Sequence, residues 1–364
     1  MALTLLFILS IILIIIAQRS YVQIKSDNYE EKVQAANLMQ AFMDTIRVEL
    51  TRQNFEFDPI DDPLKTGLIG IRQSSITTSK GLLSEKQTAI NSNLAAVFVS
   101  EIMKARITSG DHVAIGITGS NPGANLALYA AIQVLKLKPS IIVALGSSSY
   151  GANREDLTWL DVEAILRNKN MIDFQTAYAS LGGRDDLGTG ISDSGIQVLR
   201  DAMQKHGIPM LMDADLARNV ELRNAAYQEL LPEGQRYRLF INIGGGLANV
   251  GTDVNAKLIA EGINHKIAER QFEINGVMME MARKNVPVLH VLRILRWAKK
   301  YELPIVPDTM PEPGTGKVFS YQKHNVLVSS IALVVLLAAI IIVIVFDRHD
   351  RRFIANIVDP DEEL

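Results

Sequence analysis

The stretch best suited to chemistry is AIGITGSNPGANLALYAA, residues 114–131. An apolar run ends at a glycine, crosses TGSNPG and resumes with helical spacing. Gly116, Gly119 and Gly123 allow close backbone approach and unusual φ. Ser120 or Asn121 suits a helix N-cap, and Pro122 the first helical position. Free N–H groups at such a start favour a negative group in front of them. Three further loops share this composition: SSSYGANRED (147–156), LGGRDDLGTGISDSG (181–195) and GGGLANVGTD (244–253). The candidate ligand-binding residues are Gly119, Ser120, Asn121, Gly123 and Asn125 in the first loop. Ser147, Ser148 and Arg154 come from the second, Arg184 from the third, and Gly244, Gly245 and Gly246 from the fourth. Arg154 and Arg184 suit a ligand carboxylate, or equally their acidic neighbours.

Other chemistries fit less well. TGSNPGAN approaches the Thr-Gly-x-x-x-Gly-x-Gly loop of short-chain dehydrogenases, but Asn125 stands where the last glycine belongs. No Tyr-x-x-x-Lys follows, since Tyr150 is trailed by Arg154. PGTGK (313–317) lacks the rest of a phosphate loop and reads as linker. No Gly-x-Ser-x-Gly surrounds Ser120 or Ser147 to Ser149. His112, His206, His265, His290, His324 and His349 all fall away from the loops, as surface or packing residues. Glu155, Asp156, Asp185, Asp186, Asp193 and Asp213 lie in or beside them. Asp213 is the best single candidate for Mg²⁺ or Ca²⁺, although capping and solvation are the commoner uses of such carboxylates. No cofactor is expected. The chain has no cysteine, which excludes disulfides and thiol chemistry. A net charge of −3 with no basic run argues against nucleic acid.

The elements that would position these loops follow from periodicity. Apolar, β-branched runs at 112–118, 140–146, 174–180, 208–213, 238–243 and 303–307 read as strands. Helical patterns at 122–136, 157–168, 194–206, 215–230, 254–284 and 288–301 separate them. Such alternation predicts an α/β fold: a mostly parallel, Rossmann-like sheet with helices on both faces. The loops then gather at the carboxyl edge of the sheet, where open α/β sheets bind ligands. Upstream, 27–52 and 84–107 read as long helices, a stalk or lid. The expected organisation is an anchor at 1–20, a helical stalk or lid region at 21–110, the α/β domain at 111–307 and a linker at 308–325. A transmembrane helix at 326–346 and a cytoplasmic tail at 347–364 complete it.

Both apolar ends are uncharged: residues 2–17 and residues 326–346. The second is long enough for a hydrocarbon core, and the first is shorter. The first lacks a basic leader and a small-x-small cleavage site, so it reads as an uncleaved anchor. Arg348, Arg351 and Arg352 after the second span place the tail inside by charge bias. The expectation is a plasma-membrane protein with two transmembrane helices and an extracytoplasmic soluble domain, although Arg19 and Lys25 then lie outside.

The runs ITGSNPGANLALYAA, VALGSSSYGANREDLTWLDVE, GGRDDLGTGIS and INIGGGLANVG, together with the terminal anchors, resemble the poly-γ-glutamate system proteins of bacteria. The resemblance spans nearly the whole chain. It implies a role in poly-γ-glutamate synthesis, export or retention at the cell envelope, beside the membrane subunits of the synthase. It carries over no catalytic residue. The expected function is that of an accessory protein binding polymer carboxylates, or synthase subunits, through the glycine-rich loops. The alternative is a γ-glutamyl hydrolase or transferase that trims or attaches the polymer.

Overall fold

The computed structural model describes residues 2–268 and 273–355. It divides into two units, Met1–Ser26 with Ser320–Leu364, and Asp27–Phe319.

In the first unit, α1 (Ala2–Arg19) leads into β1 (Tyr21–Lys25), and β10 (Ser320–His324) leads into α13 (Val326–Ala355). The strands pair antiparallel, from Tyr21 opposite His324 to Lys25 opposite Ser320. The end of α1 and the start of α13 are therefore neighbours, and Asn325 N donates to Ser20 O at 2.9 Å. Large apolar side chains on both helices are exposed, among them Leu3, Phe7, Ile14, Leu333, Ile341 and Phe346. Among the described residues one helix, Val326–Phe346, is long and apolar enough to cross a membrane; Leu3–Arg19 is a shorter apolar helix. At about 1.5 Å per residue that first helix falls short of a roughly 30 Å hydrocarbon layer. By length, the two expected spans therefore become one. The expected tail begins as a continuation of α13. The side chains of Arg348, Arg351 and Arg352, and all of 356–364, lie outside the described residues.

The second unit is built on a six-stranded sheet. Its members are β3 (His112–Thr118), β4 (Lys138–Ala144), β6 (Thr176–Ser180), β7 (Tyr237–Ile243), β8 (Gly262–Asn264) and β9 (Val288–Val291), in the order β6-β4-β3-β7-β9-β8. All neighbours are parallel except β8, which runs antiparallel at the edge. Alternate residues of β3 feed two cores. Val113, Ile115 and Ile117 pack with α2 (Tyr29–Arg52), α4 (Leu94–Met103) and α5 (Pro122–Leu135). Ala114, with Ile142 of β4 and Phe240 of β7, packs with α8 (Leu216–Glu229) and α11 (Val277–Arg283). Burial on both faces is why these strands read as continuous apolar runs rather than alternating ones.

Several elements differ from the sequence expectation. The 208–213 run forms only a bridge, from Met210 to Ala179, and 303–307 is not a strand. Val288–Val291, expected as the start of a helix, is instead the strand β9, and only Ile294–Tyr301 is helical, as α12. The long helix expected over 254–284 breaks into α10 (Asp253–Leu258), β8 and α11. The helix expected over 84–107 is α3 (Leu83–Ala89) followed by α4, interrupted at the polar Asn91-Ser92-Asn93.

The expected stalk is part of the globular unit. Ala35, Met39, Phe42, Ile46 and Leu50 of α2 form a buried stripe at helical spacing. The expected linker is docked as well: Asn93 Nδ2 donates to Glu312 O, Gly314 N donates back to Asn93 Oδ1, and Phe319 is fully buried. Backbone groups in an extended segment need partners when buried, and these side chains supply them.

Candidate functional site

The chain places β4 and β6 on one side of β3, then returns to place β7 and β9 on the other. A crevice opens where the order reverses, outside the carboxyl ends of β3 and β7. It holds a cleft of about 450 Å³, lined at the ends of β3, β4, β6 and β7 by Thr118, Ala144, Gly182 and the Gly244–Gly246 loop. That volume lies within the usual range for small-ligand sites, about 300–1,000 Å³.

The structure brings seven of the twelve candidate residues to this cleft: Ser120, Asn121, Ser148, Arg184, Gly244, Gly245 and Gly246. Ser120 Oγ accepts from Ser148 N at 3.0 Å, which ties the first loop to the second. Gly244 takes a φ of +93° and passes close to Thr118, where a Cβ would stand 2.7 Å from its hydroxyl. The fourth loop can therefore lie against the first only because this residue has no side chain. Asn121 is the N-cap residue of α5, and Pro122 follows it in the first turn. Arg184 is exposed.

The other five serve the fold. Gly119 and Gly123 do not take the unusual φ expected of them. They are close-approach glycines, but toward protein: a Cβ would sit 2.5 Å from Leu145 O at Gly119 and 2.7 Å from Ala89 O at Gly123. Asn125 is fully buried and donates to Thr118 O at 2.9 Å, so it closes the strand-to-helix turn from inside. Ser147 is buried and its hydroxyl bonds Gly119 O and Ser148 O. Arg154 lies outside the cleft lining; it chelates Asp156 at 2.9 and 2.8 Å, and its guanidinium lies over Phe55, 4.3 Å from the ring centre. This is the neighbour pairing left open for it in the sequence.

The carboxylates are similarly occupied. Asp186 is buried in a bridge to Arg223 at 2.9 Å, with Ser180 as third partner. Asp213 is exposed and its carboxylate accepts from Ala214 N at 2.6 Å. Among the described residues no group of three or more acidic or histidine side chains is placed to hold a metal ion, so the metal candidate stands alone. His206 bonds Asp161, and His290 bonds Asn242 and Ala256 O. Among the described residues Ser120, Ser147, Ser148 and Ser149 bond backbone groups and not a histidine, so no serine–histidine pair is assembled at the loops.

A whole wall of the cleft escapes the sequence reading. Residues 78–82, with Glu85 and Lys86, line it from the region expected to be stalk or lid. The link is a short parallel pairing of β2 (Thr77–Ser79) with β5 (Ser147–Ser148). A clue was present in TTSKG (77–81), a polar, glycine-containing stretch at a helix start. Gly81 makes the approach possible, since a Cβ there would meet Ser149 O at 2.4 Å. Burial pushes the Lys86 ammonium down to about 8, against a smaller opposing effect of Glu85.

Sheet and cleft together define a Rossmann-like α/β protein with a ligand-sized crevice at its switch point. No family model, no curated protein and no solved structure matches the chain.

Proposed function

We propose that this chain is a membrane-anchored accessory protein of poly-γ-glutamate synthesis or export, and that its cleft holds glutamyl carboxylates of the polymer. One observation carries the reading: loops from four strand ends converge on one cleft with Lys80, Lys86 and Arg184 in its lining. Backbone N–H groups and cations facing a crevice suit a chain of carboxylates. The resemblance to poly-γ-glutamate system proteins supplies the polymer, and the synthase membrane subunits are the proposed protein partners.

The proposed setting is the plasma membrane, with the globular unit outside the cell. The β1–β10 ribbon supports a second span, because it sets the end of α1 beside the start of α13, and the apolar side chains of both are exposed. Such surface is stable only against lipid or protein. Polar flanks and modest local thinning accommodate the shorter helix. The three arginines after residue 346 then lie inside.

The test is binding of a fluorescent γ-glutamyl oligomer to the full-length protein in detergent at low salt. Saturable binding that α-linked oligoglutamate does not match is the expected result. Absence of any affinity overturns the reading. In the host, deletion should reduce secreted polymer without lengthening it; longer chains would point to the trimming enzyme instead.

A further inference from the structure

Lys86 stands apart from every other cation at the cleft. It is 4% exposed, yet it lines the cavity. Among the described residues its Nζ makes one hydrogen bond, 2.9 Å to Oδ1 of Asn121 at the head of α5. An ammonium offers three donors. Among the described residues no carboxylate lies within ion-pair distance of Lys86, and the nearest opposing charge acting on it is Glu85. Buried lysines are almost always paired. One with a single bond, lining an open crevice and held by a helix N-cap residue, is a site prepared for an incoming negative group.

We infer that Lys86 is the anion anchor of the cleft, gripping one oxyanion of the ligand against the start of α5 while Lys80 and Arg184 meet further charge at the rim. The inference rests on the polymer-binding reading for the identity of that oxyanion, a glutamyl carboxylate, but not for the anchor itself. Position decides which cation dominates. Lys80 and Arg184 are exposed, so water and salt screen them. The same contact at a buried ammonium is far stronger.

A pH signature follows. Burial pushes the free ammonium down to about 8, and a bound anion holds its proton on. Affinity is therefore flat below that pH and falls by up to tenfold per unit above it. The surrounding charges do not imitate this step. Glu85 shares α3 and acts on Lys86 directly, Glu261 and Arg293 act on Glu85, and Asp253, Lys80 and Arg184 line the cleft. Arg296, Lys299 and Lys300 belong to α12, which packs on α3, while α5 carries no charged residue. By residue type, carboxyl groups have ordinary values of about 4 and lysine and arginine groups above about 10, both far from this step.

The experiment compares the full-length protein with Lys86→Met and Lys86→Arg in detergent, from pH 6 to 9.5, using fluorescent penta-γ-glutamate and inorganic phosphate as separate probes. The expected result is at least tenfold weaker penta-γ-glutamate binding in Lys86→Met at pH 7, with loss of the alkaline step. Lys86→Arg should keep the binding and stay flat through pH 9. Equal binding by the wild type and Lys86→Met overturns the anchor and leaves the polymer reading standing. Phosphate binding that depends on Lys86, without binding of the oligomer, supports the anchor and removes the polymer reading. Binding of neither probe overturns both. If Lys86→Met does not fold, as thermal unfolding will show, the wild-type titration decides alone: affinity unchanged from pH 7 to 9.5 overturns the anchor.

Discussion

Asp186 and Arg223 are each 1% exposed and bonded to one another and to Ser180. Removing one partner of such a pair strands the other charge, so Asp186→Asn should cost about 3–5 kcal/mol by urea unfolding. Because the pair holds the loop after β6, a loss below about 1 kcal/mol would mean that water already reaches it. Asp161 gives a pH prediction. Burial raises its carboxyl, but hydrogen bonds from His206, Lys205 and Thr158 outweigh this and hold it well below the usual carboxylate range. A depressed folded-state pKa contributes stability that is complete above the unfolded value, near pH 4, and is lost as pH falls toward the folded one. The stability gap between wild type and Asp161→Asn should therefore shrink between pH 5 and pH 2. A constant gap across that range would contradict the assignment.

At the scale of elements, α2 belongs to the core, while the start of α3 and the head of α5 help wall the cleft. A detached stalk tolerates truncation of its apolar residues, whereas a helix packed into the core does not. Phe42, fully buried on α2, should cost about 3–5 kcal/mol when changed to alanine, and a cost under 1 kcal/mol would restore the stalk. Gly123→Val is a test of the α3–α5 contact. The new side chain meets backbone at Ala89, which cannot yield as a flexible side chain would. Overpacking of this kind costs about 1–3 kcal/mol, and α5 must shift, carrying Asn121 away from Lys86. Thermal unfolding and oligomer binding should fall together. Intact binding in a folded Gly123→Val protein would separate the helix start from the site.

For the whole molecule the proposed topology makes a labelling prediction. The chain contains no cysteine, so single cysteines report without background. With the proposed topology, a cysteine at exposed Lys257 reacts with an impermeant maleimide on intact cells, and one placed after residue 356 reacts only after lysis. The reverse pattern would put the globular unit in the cytosol and remove the export reading. The two terminal helices, read as separate anchors in the sequence, meet through a ribbon pairing residues roughly three hundred positions apart. Deleting residues 2–25 removes β1 and leaves β10 as an open edge.

The sequence by itself determined the parallel core and the loops at its carboxyl edge. β3 and α5 follow the expected bounds closely because an apolar run, a turn glycine and Pro122 are local signals. It also determined the apolar helix at Val326–Phe346, since a long uncharged run needs no context. Only the tertiary structure decided which loop residues face a ligand and which face protein. Gly119, Gly123, Asn125 and Ser147 have the composition of a binding loop, yet their contacts are with Leu145, Ala89, Thr118 and one another. Only it could reveal Lys86, whose sequence position is that of any lysine on an amphipathic helix. Burial and the approach of distant chain segments are properties of packing, and packing carries no local signature.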